Sequence, residues 1–199
     1  MVLTELGGPD RRAERHARVR GDVVAAAWEL ASRHGLTGFG LREIGTVVGM
    51  RAPSLYSYFP NKNAIYDAMF AAGYRDFQAK IAEVKRSRSP RVSLVRAAGT
   101  YLEFCRADPA RHQLLFHRVV PGFEPSPESY ALAVEVLEEM RGLLAGMGLR
   151  QQRHLDLWTA LTAGLAAQQA ANDPGGSRWT VLAEPAVDMY LAYVGKDLT

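Results

Sequence analysis

The segment "GMRAPSLYSYFPNK", Gly49 to Lys62, places two tyrosines, a phenylalanine and two serines in one short run interrupted by prolines. Its meaning depends on which of these side chains face a core. Read as a helix with Pro53 in its first turn, where a missing N–H costs nothing, and Pro60 as its end, it sets Leu55 and Phe59 four residues apart on one face. Ser54, Ser57 and Tyr58 fall off that face, and Tyr56 lies at its edge. Just upstream, "LREIGTVVGM", Leu41–Met50, is about two helical turns with Leu41, Ile44 and Val48 on one side. Gly49 sits where a tight turn needs a residue tolerant of positive φ. Two short helices joined by a glycine turn, with another helix before them, have the sequence form of a helix-turn-helix. Phe59 is then core. Tyr56 and Tyr58 become contact residues, beside small polar groups suited to phosphates and base edges.

Working outward, a first helix is expected from about Arg18 to "HGLTG", with Val23, Ala27, Leu30 and Ala31 at helical spacing and Gly35 as its stop. A fourth opens at Lys62 and is expected to reach Arg86, carrying Ile65, Met69, Ala72, Phe77, Ile81 and Val84. Further helices are expected at about 90–106, 109–118, 127–147, 151–172 and 181–196. "VPGFEPSPES" and "NDPGGSRW" read as breaks. No segment alternates apolar and polar residues as a strand would. The expected fold is all-α: residues 1–17 a basic flexible arm, 18–62 a three-helix helix-turn-helix unit, and 63–199 a larger helical body.

Charge separates these parts. The chain of 199 residues carries a net charge of +3, and residues 1–62 hold nine Lys/Arg against six Asp/Glu, so that third accounts for the whole excess. An anionic partner for the N-terminal third follows from this asymmetry, although a solvated arm would show the same charge. Arg15, Arg18 and Arg20 are the candidates to reach it. Arg11 and Arg12 follow Gly7, Gly8 and Pro9 and belong to the tail, and "KRSRSPR" is expected to be a solvated hinge. The absence of an eighteen-residue apolar run argues against a membrane span. The charged N-terminus lacks the apolar core of a signal peptide, and the single Cys105 cannot form an internal disulfide, so a cytoplasmic setting is expected.

The run "GLTGFGLREIGTVVGMRAPSLYSYFPNKNAIYDAMF" resembles the DNA-binding domain of TetR-family transcriptional regulators. In that family a Leu-Tyr-x-(His/Tyr)-Phe segment is followed by a lysine and an apolar helix, and Leu55, Tyr56, Tyr58, Phe59 and Lys62 fall on those positions. The resemblance implies that Tyr56 and Lys62 contact DNA phosphates, and that Arg51, Ala52, Pro53, Ser54, Ser57 and Tyr58 face the major groove. Arg42, on the preceding helix, completes the candidate DNA contacts. Gly40 and Arg51 stand where the family has Ser or Thr helix caps. A lost side-chain cap costs about 1 kcal/mol, and Arg51 becomes free to contact a base or phosphate.

For the body, the resemblance implies effector binding and dimerisation. Phe104, Phe116 and Trp158 are the expected effector contacts, lining a site for a small apolar molecule. The last two helices are expected to pair in a homodimer, through Leu155, Thr159, Thr162, Ala163 and Ala166 on one and Val187, Leu191 and Val194 on the other. The function expected is a repressor that binds a palindromic double-stranded DNA operator and is released by its effector. The alternative is a DNA-binding repressor or architectural protein with no effector. No enzyme, metal or cofactor motif is found: His112 and His117, five apart on one expected helix, diverge, as do His154 and Asp156, and Cys105 has no base beside it.

Overall fold

The computed structural model describes residues 9–85 and 87–195, with side chains described from residue 11 on, apart from that of Ala52. Among them the chain forms α1 (Pro9–His34), α2 (Leu41–Val47), α3 (Ala52–Leu55), α4 (Lys62–Ala82), α5 (Pro90–Ala107), α6 (Pro109–Phe116), α7 (Pro127–Ala145), α8 (Gln152–Asn172), a 3-10 turn (Thr180–Leu182) and α9 (Ala183–Val194), with no strand among the described residues. The helix starts follow from local chemistry. Ser89, Asp108 and Ser126 each stand before a proline and accept a hydrogen bond from a backbone N–H in the first turn of α5, α6 and α7. Side chain and proline together deal with N–H groups that a helix leaves without partners.

Three boundaries differ from expectation. α1 begins at Pro9 rather than near Arg18, because the Arg, Ala and Glu residues between them are strong helix formers. α4 ends at Ala82, short of Arg86, which lies outside the described residues. α3 is a single turn; the N–H groups of Tyr58 and Phe59 both donate to the carbonyl of Leu55, each at 2.9 Å, and wind the chain off the helix. The residue before Pro60 is sterically barred from continuing it.

Two apolar cores result. The first joins Val23, Ala27, Leu30, Ile44, Leu55 and Phe59 to Ile65, Met69 and Phe77 of α4 and Leu114 and Leu115 of α6. Helix α4 therefore packs in the same core as the helix-turn-helix. α6 presses close to it at Gly73, where an added Cβ would lie 2.7 Å from Leu115 Cδ1. The second core packs α5 against α8 and α9 around Leu94, Leu102, Trp158, Val187 and Val194. The Asp67 carboxylate ties α4 to the start of α7, accepting from Ser126 N at 2.7 Å, Ser126 Oγ at 3.1 Å and Ser129 Oγ at 2.9 Å.

The apolar stripes expected to meet a second subunit lie instead mostly inside the chain. Leu155, Thr162, Ala166, Val187 and Val194 are buried, and Thr159, Ala163 and Leu191 are half-buried. Helical spacing identifies an apolar face but not what covers it. The faces left exposed carry Leu157, Ala160 and Gly164 on α8 and Met189 and Tyr193 on α9.

Candidate nucleic-acid interface

Helix α2 opens at Gly40, whose N–H donates to Glu43 Oε2 at 2.7 Å, so the glutamate replaces the missing side-chain cap. Ile44 on its inner side is fully buried. At the turn, Gly49 adopts φ +67°, which a side chain would resist, and Met50 N–H donates to Gly45 O at 2.8 Å. The chain reverses there. Arg51 is then extended, Pro53 sits in the first turn of α3, and Leu55 and Phe59 are wholly buried beneath it.

That anchoring determines what faces outward. Arg42, Arg51, Pro53, Ser54, Tyr56 and Ser57 are exposed, Tyr56 by 54%. Ser57 Oγ donates to Ser54 O at 2.7 Å, which orients the hydroxyl and leaves its oxygen to accept. Ala52 begins α3, and its side chain lies outside the described residues. The structure thus leaves Arg42, Arg51, Ser54, Tyr56 and Ser57 exposed, each with a donor group.

Two expected contacts have partners within the chain. Lys62 Nζ donates to Phe39 O at 2.5 Å and lies 4.4 Å from the Phe39 ring centre and 5.2 Å from that of Tyr66. An ammonium has three donors, so Lys62 holds the loop before α2 with one and keeps two for an outside acceptor. Tyr58 is half-buried, stacked on His16 at 4.8 Å between ring centres, and its carbonyl accepts from Arg20. The Arg20 guanidinium also lies 4.1 Å over Phe59. Arg20 is therefore a strut inside the unit. Sequence reading missed His16 and gave Arg20 a different role; these contacts link residues about forty positions apart, beyond the reach of any local pattern.

These geometries agree with the match to known proteins. The model of bacterial regulatory proteins of the tetR family matches residues 23–69. Residues 23–69 thus carry the DNA-binding domain of the tetR family of bacterial regulatory proteins. No curated protein matches the regulator's sequence. Among solved structures, it resembles a tetR-family transcriptional regulator from Streptomyces coelicolor, with TM-score 0.72 and 20% identity, covering 90% of this chain and 81% of that one. It also resembles FadR from Bacillus subtilis in complex with stearoyl-CoA (TM-score 0.70, 13% identity, 86% and 97% covered). A TetR variant from Acinetobacter baumannii AYE in complex with minocycline matches at TM-score 0.60 and 19% identity, with 88% and 96% covered. At such identities the likeness is one of fold. Regulators of this family are DNA-binding proteins and not enzymes.

In the regulator's body the three expected effector residues fall in two places. Phe104 and Phe116 join an aromatic cluster centred on Phe77, whose ring lies 4.7 Å from Phe104, 5.8 Å from Phe116 and 6.0 Å from Tyr101. Trp158 instead packs on Tyr190 of α9 at 5.5 Å, and the Tyr190 hydroxyl donates to His154 O at 2.9 Å. Burial raises the pKa values of Tyr74 and Tyr101 and pushes that of the Cys105 thiol up to about 12, so all three stay protonated at neutral pH. Phe104 also lines an open groove between α4 and α5 with Lys80, Glu83, Val84, Thr100 and Glu103.

The histidines correct the helical expectation. α6 stops at Phe116 and His117 is extended, so the His117 ring folds back until its Nε2 lies 3.1 Å from Nε2 of His112. Burial, and then the neighbouring His117, lower the pKa of His112 to about 4. Among the described residues no group of three or more His, Cys, Asp or Glu is placed to hold a metal. No helix among them is long and apolar enough to cross a membrane.

Proposed function

We propose that the regulator is a homodimeric repressor that binds a palindromic operator through α2 and α3 and is released from it by a small, largely apolar effector. The observation that carries the DNA-binding surface is the division within one segment: Leu55 and Phe59 have no exposed surface, while Arg51, Ser54, Tyr56 and Ser57 face outward together. Rigid backbone beneath exposed donors is what groove recognition requires. A two-fold dimer presents two such units to half-sites about 34 Å apart, or a multiple of that. The exposed apolar side chains of α8 and α9, Leu157, Met189 and Tyr193 among them, supply a face for the pairing.

Helix α4 shares a core with the helix-turn-helix and runs into the aromatic cluster through Phe77, so it is the lever between the two. Two of the regulator's structural neighbours hold stearoyl-CoA and minocycline, and here Phe104 connects the cluster to the groove between α4 and α5. The close contact of the rings favours a second reading as well: an effector must part them, and a repressor that responds to no effector would have the same packing.

The test is fluorescence anisotropy on the DNA upstream of the regulator's own gene, with Tyr56→Ala alongside and with stearoyl-CoA or minocycline titrated in. Tyr56 is a cleaner probe than Lys62, which also holds Phe39. Weaker binding by the variant supports the surface, and release of 5- to 150-fold, a coupling of about 1–3 kcal/mol, supports the effector reading. Equal binding by wild type and variant would mean the DNA surface is misplaced. DNA binding indifferent to both compounds moves the balance to the second reading.

A further inference from the structure

Resting on the DNA-binding reading, we infer that the first three turns of α1 are a second DNA-contacting element, a rigid basic edge that holds backbone phosphates beside the groove entered by α3. The residues before Arg18 are helix from Pro9 onward rather than a flexible arm. Arg11, Arg15 and Arg18 therefore stand at i, i+4 and i+7, within about 60° of one another around the helix axis. All three are exposed. None has an ion pair among the described residues, whereas Arg33, Arg91, Arg106, Arg111 and Arg141 each hold a carboxylate. Glu14 flanks this face and Asp22 ends it, so the free basic run is confined to the first three turns.

Placement supplies the second half of the argument. His16 stacks on Tyr58, and one turn later Arg20 donates to the Tyr58 carbonyl and covers Phe59. These contacts fix the first turns of α1 on the residue that follows the exposed Tyr56 and Ser57, through a face of the helix about 100–180° around from Arg11, Arg15 and Arg18. Arg11 to Arg18 spans about 10 Å of helix, the axial run of about three phosphates on one strand. Guanidinium groups suit that task through paired N–H donors. Tyr58 becomes a positioning residue for this edge, with its ring face committed to His16, and the DNA footprint extends beyond the part read by α3.

The experiment measures anisotropy of the full chain on a mixed-sequence 40-base-pair duplex over a salt series. The variants are Arg11→Gln/Arg15→Gln/Arg18→Gln, His16→Ala, His16→Phe and Tyr56→Ala. Three lost phosphate contacts lower the slope of log affinity against log salt by about 2.7 per subunit. His16→Ala loses part of that slope and His16→Phe, which keeps the stack, retains it. The triple variant replaces only exposed side chains, so an unchanged thermal melt verifies its fold. A wild-type slope in the triple variant, with Tyr56→Ala still weakened, overturns the basic edge and leaves the DNA reading standing. A wild-type chain that binds no duplex at low salt overturns both. Equal loss of binding to polyglutamate and to DNA in the triple variant would show an indiscriminate polyanion patch and also overturn it. His16→Ala with the wild-type slope removes the positioning role of the stack.

Discussion

The two ends of the molecule solve opposite surface problems with the same element. In the helix-turn-helix unit α3 and the turn after it keep their large apolar side chains, Leu55 and Phe59, entirely within, and what remains outside is polar or amphipathic. On α8 and α9 the inner face is equally filled, by Trp158, Val187 and Val194, yet Leu157, Met189 and Tyr193 remain outside, Met189 by 69%. A surface of donors suits phosphates and base edges; a surface of exposed apolar side chains suits another protein chain. Amphipathicity therefore distinguishes the ends less well than the chemistry of the face left over.

That contrast can be broken most strongly at its buried side. Phe59→Ala should cost about 3–5 kcal/mol in chemical denaturation, since it removes a fully buried ring. Tyr56→Ala, three residues earlier and exposed, should stay within about 0.5 kcal/mol. Similar losses for both would show that the segment is not divided between core and contact as described.

The seam between the two ends gives the next test. His112 on α6 has a folded pKa of about 4 against an ordinary 6.5. As pH falls the unfolded chain takes up this proton first, so folding stability is present above pH 6.5 and is lost progressively down to about pH 4, by at most about 3 kcal/mol. Denaturation midpoints across this range should show the loss, and His112→Gln should flatten it. An unaltered pH profile in that variant would assign the loss to other groups.

The outer face of α9 sharpens the comparison with the smallest expected change. Met189→Asp with Tyr193→Asp should weaken self-association by about 2 kcal/mol or more, seen as a shift from dimer to monomer in sedimentation at micromolar concentration. An unchanged sedimentation profile would place the pairing surface elsewhere. The helical signal should be unaltered, because both side chains point away from the core.

The order of helices, the positive φ of Gly49 and the burial of Leu55 and Phe59 are legible in the sequence alone. These depend on spacing within a turn or two of chain, where the geometry of a helix is known before any neighbour is placed. The tertiary structure decided the rest. It alone put Arg20 on Tyr58, Lys62 on Phe39 and Trp158 on Tyr190, and turned His117 back onto His112 where α6 ends. It also decided which faces of α8 and α9 the chain itself covers. A periodic pattern states that a face must be buried; only the packing of helices distant in sequence states against what.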